Sequence, residues 1–193
     1  MELGVIEQRT RGDGEVRAVE DEGKVAGTGL FFNSWSVDMG GIRERFLPGA
    51  FDVSLKEDDI RVQWQHSRSH VFGRVRAGTA RVWADERGLH YEADPPDAQW
   101  SRDAVESIRR GDVDQNSFAF SIENREDQEF EERDGLIYRT VIRARLKEVG
   151  PQTDPAYPDS TVAVRCADQW MKERRLVVPV SVRLKALDLV ERV

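Results

Sequence analysis

Apolar and polar positions alternate with a period of about two over several short stretches of the chain. EVRAV, KVAGTGLFF and DIRVQWQ come first, followed by HVFGRVRAG, ARVWAD, GLHYEAD, NSFAFSIEN and the long run LIYRTVIRARLKEVG. Successive side chains of a strand point to opposite faces, so this pattern predicts about seven or eight short strands. ADERG and ERDG separate neighbouring stretches and carry turn chemistry, which predicts hairpins and mainly antiparallel pairing. Two segments change to a helical period. PGAFDVSLKE, residues 48–57, starts on Pro48, whose missing N–H is harmless in a first helical turn. In DAQWSRDAVESIRRG, Asp97 is the expected N-cap, Trp100, Ala104, Val105 and Ile108 share one face, and Gly111 is the expected stop. After Tyr157, STVAVRCADQWMKERR fits either a strand or a helix, and SVRLKALDLVERV reads as a helical tail.

Many short strands, two helices and no β-α-β alternation predict an α+β fold. An antiparallel β-barrel of about seven strands with helices packed outside would leave no exposed strand edge. A length of 193 residues favours one domain, taken to span 1–167, with 168–193 as a C-terminal tail or peripheral helix.

Composition narrows the function classes. Charged residues at 34% beside hydrophobic ones at 39% describe a hydrophilic chain that can still fold. A net charge of −7 speaks against a general nucleic-acid binder, and the pairs Arg109–Arg110 and Arg174–Arg175 read as solvated surface. Cys166 is the single cysteine, so no disulfide forms within the chain; a reducing compartment and a small buried role are expected. MELGVIEQRT lacks the pattern of a secretory signal, and no apolar run reaches the ~20 residues of a membrane helix.

Three histidines, His66, His70 and His90, are too dispersed in the predicted elements to suggest a three-histidine zinc site. There is no HExxH, paired-cysteine, GxSxG or phosphate-loop motif, so neither metal nor cofactor is expected. Ser117, which opens SFAFSI, is a candidate nucleophile. His66 can serve as its base, with an ordinary pKa of ~6.5 near working pH, and Glu148 in RLKEVG can orient the imidazole. Strand parity only partly agrees. Phe118, Phe120 and Ile122 share a core-facing side, whereas Ser117, Ala119 and Ser121 share the other. His66 falls in phase with Ile60, Val62 and Trp64, and Glu148 with Ile142, Ala144 and Leu146, so both are expected on apolar faces unless a bulge or strand end shifts them. On spacing alone, a strand serine, a strand-end histidine and an ordinary surface charge remain the competing reading.

Four blocks in order, IRERFLPGAF, VQWQHSRSHVFGRV, RRGDVDQNSFAFSI and LKEVGPQTDPAYPDS, resemble the prohead maturation proteases of tailed phages across about residues 25–165. That family is similar in fold to the herpesvirus capsid protease, assemblin, a β-barrel ringed by helices. The resemblance implies a serine endopeptidase, with the nucleophile on Ser117 in G-D-x-x-x-x-S-F-x-F, the base on His66 in W-x-H, and an acidic third member on Glu148 in L-K-E-V. It implies major capsid protein and scaffold segments as substrates, action inside the assembling prohead in the host cytoplasm, and a homodimer as one arrangement. Oxyanion donors are expected near DPAYP, residues 154–158, and self-removal of the tail at 168–193 is a further expectation. Two departures stand out: Ser67 occupies a position where the family often has aspartate, and Ala119 one where it often has glycine. The alternatives are an inactive scaffold or capsid-assembly factor of the same fold, and a small esterase.

Overall fold

A computed structural model describes residues 3–11, 16–19 and 23–153. Cys166, the DPAYP segment, Arg174–Arg175, the boundary at residue 167 and the 168–193 tail lie outside the described residues. In chain order the elements are β1 (Glu7–Arg11), β2 (Val16–Val19), β3 (Lys24–Phe31), β4 (Ile42–Phe46), α1 (Asp52–Glu57), β5 (Arg61–Gln63) and β6 (Val71–Arg74). They continue with β7 (Ala80–Ala84), β8 (Gly88–Ala93), α2 (Gln99–Arg109), β9 (Gln115–Ser121), β10 (Gln128–Arg133), β11 (Leu136–Val141) and β12 (Arg145–Gln152).

The mixed α+β character expected from the pattern is observed, with strands dominating. Hydrogen-bonded pairing arranges the described strands as β1-β9-β12-β5-β6, β10-β11-β4 and β2-β3-β8-β7. These are three sheets, and their pairing does not close into one ring. Most neighbours are antiparallel, but β4 runs parallel to β11 and β5 parallel to β12. One hydrophobic cluster draws on all three sheets, with Leu30 and Leu89, Phe46 and Val141, and Phe118 and Val149 among its members. Phe46 lies edge-on to both Phe118 and Phe120 and stacks on Phe51.

Three strands escaped the alternation pattern because they carry few apolar residues. In β1, EQRTR has none, yet Glu7 and Arg9 are buried. In β4, Glu44 occupies a buried position of IRERF, and β10 offers only Phe130. The long run LIYRTVIRARLKEVG divides into β11 and β12. The Asp127 carbonyl takes the amides of Ile142 and Arg143, and the Ala50 carbonyl takes that of Ala144, which pulls the backbone out of the ladder. Helix α1 starts later than expected because Gly49, at φ +87°, cannot continue a right-handed helix from Pro48. Helix α2 starts after Ala98, not Asp97; the Asp97 carboxylate pairs with Arg102 instead of capping. Its expected apolar face is seated on the core, and Gly111 ends it at φ +78°. The ERDG turn joins β10 to β11 with Asp134 and Gly135 both at positive φ, the geometry of a tight hairpin turn.

Candidate active site

Ser117 lies in β9, opposite Thr10 of β1 on one side and Gly150 of β12 on the other. Its side chain is on the face away from Phe118 and Phe120, which are fully buried in the core. The pairing of β12 with β9 contains a bulge. Leu146 faces Phe120, but the next partner pair is Glu148 with Ala119, leaving Lys147 as the extra residue. An unbroken ladder would have set Glu148 beside Phe118 and driven its carboxylate into the core. The bulge turns Glu148 onto the Ser117 face while Leu146 and Val149 stay in the core.

His66 reaches the same face by a different route. β5 ends at Gln63, and both Gln65 and His66 adopt the left-handed conformation, at φ 54° and 55°. Such a conformation costs a non-glycine residue on the order of 1–2 kcal/mol. The turn swings the imidazole away from the phase of Val62 and over β9. Parity therefore misplaced both His66 and Glu148, and in each case a local backbone irregularity is the reason.

The three side chains singled out from the sequence meet. Ser117 Oγ is 2.6 Å from His66 Nε2, and His66 Nδ1 is 2.5 Å from Glu148 Oε1. With Nδ1–H donating to the carboxylate, Nε2 presents a lone pair to the serine hydroxyl. That hydroxyl has a second acceptor, the Arg9 carbonyl at 2.9 Å, so one proton has two competing destinations. Ser117 is only 2% exposed and Glu148 8%. A largely buried Ser–His–carboxylate chain strengthens its hydrogen bonds and suits proton transfer from the hydroxyl to the imidazole.

The other two histidines are not members of this hydrogen-bonded chain. His90 on β8 has Nδ1 3.1 Å from Thr28 Oγ1 and Nε2 3.1 Å from Asp85. The His90 imidazole beside it, with the hydrogen bonds of the Arg87 and Gly88 amides, lowers the Asp85 carboxyl to about 2. His70 bonds Ser67. Among the described residues, no group of three or more histidine, cysteine or acidic side chains converges as a metal site, and no helix is long and apolar enough to cross a membrane.

Some supporting residues were not legible as such. Gly150 is one: a Cβ there would lie 2.0 Å from the Gln63 carbonyl oxygen, at the end of the strand that delivers His66. The only trace in the sequence is a glycine two positions after Glu148. Gly150→Ala should force β5 away, lowering stability by about 1–3 kcal/mol. Denaturant unfolding measures this, and an unchanged midpoint would show that β5 gives way freely. Gln65 is another: its amide donates to the Pro151 carbonyl, and its Oε1 accepts from the Thr153 hydroxyl. The Arg9 carbonyl, a backbone group on an entirely polar strand, had no sequence signal at all.

Residues 13–174 match the family model described as Caudovirus prohead serine protease. Neither the curated proteins nor the solved structures contain a match to the chain.

Proposed function

Since this chain belongs to the caudovirus prohead serine protease family, we propose that it is an endopeptidase whose nucleophile, base and orienting carboxylate are Ser117, His66 and Glu148. The single observation that carries the reading is the continuous hydrogen-bonded chain Ser117 Oγ–His66 Nε2 and His66 Nδ1–Glu148. In this mechanism His66 Nε2 accepts the hydroxyl proton as Ser117 Oγ bonds to a peptide carbonyl carbon. The imidazolium, held by Glu148, then delivers that proton to the departing amine as the C–N bond breaks. Water, deprotonated by the same imidazole, releases the acyl group and regenerates the hydroxyl. Backbone N–H groups around residues 154–158 are the proposed oxyanion donors; they lie outside the described residues.

The substrates in this reading are the major capsid protein and scaffold segments, met inside the assembling prohead in the host cytoplasm. Extended chain segments suit a groove that binds them partly as an added strand. A homodimer, a protease domain over 1–167 with an appendage after it, and a herpesvirus-protease-like barrel belong to the same proposal. What supports the barrel is the shared core drawn from all three sheets. A second reading, an inactive assembly factor, draws on the near-complete cover of Ser117 and its contact with the Arg9 carbonyl.

Incubation with the capsid protein of the same phage separates the two. The protease reading expects discrete fragments and covalent attachment of a fluorophosphonate to Ser117, read by peptide mass spectrometry. Neither cleavage nor labelling would favour the assembly factor.

A further inference from the structure

The left-handed pair Gln65–His66 needs a structure that holds it, and residues 64–70 supply one. The Trp64 amide donates to the His70 carbonyl at 3.0 Å, the Ser67 amide to the Trp64 carbonyl at 2.9 Å, and the His70 amide to the Ser67 carbonyl at 3.2 Å. These bonds close the turn on itself. One side-chain bond crosses it as well: Ser67 Oγ lies 2.7 Å from His70 Nδ1. The His70 ring meets Trp100 of α2 edge-on, with centroids 4.8 Å apart, and Trp100 in turn packs on Phe72 of β6. His70 is thus gripped from the helix side and bonded on the turn side to the residue that directly follows His66.

We propose that Ser67 and His70 are positioning residues: their hydrogen bond, braced by Trp100, fixes the backbone at His66 so that its imidazole stays between Ser117 and Glu148. This rests on the protease reading for its effect on rate, but the geometry it asserts exists independently of activity. Among the described residues the Ser67 hydroxyl and the His70 ring make no hydrogen bond to Ser117 or Glu148, so their influence passes through the His66 backbone. Loss of the bond relaxes a strained turn and lets the imidazole drift. A displacement of about 1 Å at a base costs up to about 100-fold in rate.

The test compares Ser67→Ala, His70→Phe and His70→Asn in the full chain. Phenylalanine keeps the ring against Trp100 and removes the bond to Ser67. Asparagine loses most of the ring and keeps a polar atom near the position of Nδ1. Using a capsid-derived peptide, Ser67→Ala and His70→Phe should lower kcat by about 10- to 100-fold with KM within about 2-fold, and His70→Asn should recover most of that loss. In parallel, ¹⁵N-histidine NMR follows the Nδ1–H between His66 and Glu148, which should shift or broaden in Ser67→Ala and His70→Phe. A His70→Phe or Ser67→Ala enzyme with parental kcat and an unmoved His66 resonance overturns the proposal. So does a His70→Asn variant no better than His70→Phe. If the parent neither cleaves nor takes up fluorophosphonate, the protease reading fails, and the NMR comparison still decides whether the pair positions His66.

Discussion

Ser117→Ala should abolish peptide cleavage, with kcat falling on the order of 10⁴- to 10⁶-fold and little change in KM. In the proposed mechanism this hydroxyl forms the acyl bond, and it is the terminus of the chain of contacts through His66 to Glu148. His66→Ala should be nearly as damaging, because among the described residues the hydroxyl is then left with the Arg9 carbonyl as its acceptor, which is no base. The double variant should be scarcely worse than either single one, since the proposed mechanism has nucleophile and base act as a unit. Glu148→Gln should be milder, because an amide can hold the ring but cannot stabilise an imidazolium with a charge. Steady-state kinetics on one capsid-derived peptide measures all four. Losses from Ser117→Ala and His66→Ala that simply multiply would show that the two side chains work separately, and the proposed mechanism would fall.

The largest effect on stability is expected at Arg139. Its side chain is fully buried, 0% exposed, among Glu7 of β1, Glu44 of β4 and Gln128 of β10. Arg9 joins the group, bonding Glu44 at 2.8 Å and Glu7 at 2.5 Å, so among the described residues two guanidinium groups meet two carboxylates. Both guanidinium groups also lie over the Phe120 ring. The cluster ties the strand beside Ser117 to a different sheet. Arg139→Met leaves two buried carboxylates to share one cation, and the expected loss is about 3–5 kcal/mol. At this chain length that corresponds to a Tm lower by roughly 6–20 °C. Because the charges are buried, added salt should do little to either protein.

The pH dependence follows from Glu7. Burial pushes its carboxyl up, but the charge and hydrogen bonds of Arg139, with those of Arg9, outweigh it, and the net position is below the ordinary 4.5. A lowered carboxylate stabilises the fold above the unfolded value and loses that contribution as the pH falls through the folded one. In Arg139→Met burial meets less opposition, so acid unfolding should begin at a higher pH. Thermal melts of parent and variant across the acid range read both effects. Equal Tm values at neutral pH would mean that the cluster is not what holds β1.

Legibility differed by element for physical reasons. β8, β9, α2 and the Asp134–Gly135 turn were readable because each depends on neighbours in sequence: alternation, a helical apolar stripe, or a residue pair that tolerates positive φ. β1, β4 and β10 were missed because they bury polar side chains where the pattern expects apolar ones: Glu7, Glu44 and Gln128 all meet Arg139 of β11. A buried glutamate and a solvated one look alike in a sequence.

The same division runs through the site. The amino-acid order alone determined which chemical groups are present, a hydroxyl on a small-residue face, an imidazole and a carboxylate, and the family to which the chain belongs. Where the imidazole and carboxylate point was decided only in three dimensions. Facing direction along a strand is a local property while the ladder is unbroken, and here it is broken twice. One extra residue at Lys147 is absorbed against β9, and two left-handed residues at 65–66 are held by contacts to Pro151 and within the 64–70 turn. The bulge is set by β9 and the left-handed pair in part by Pro151, both distant along the chain, and the local bonds of the 64–70 turn leave no trace in the hydrophobic pattern.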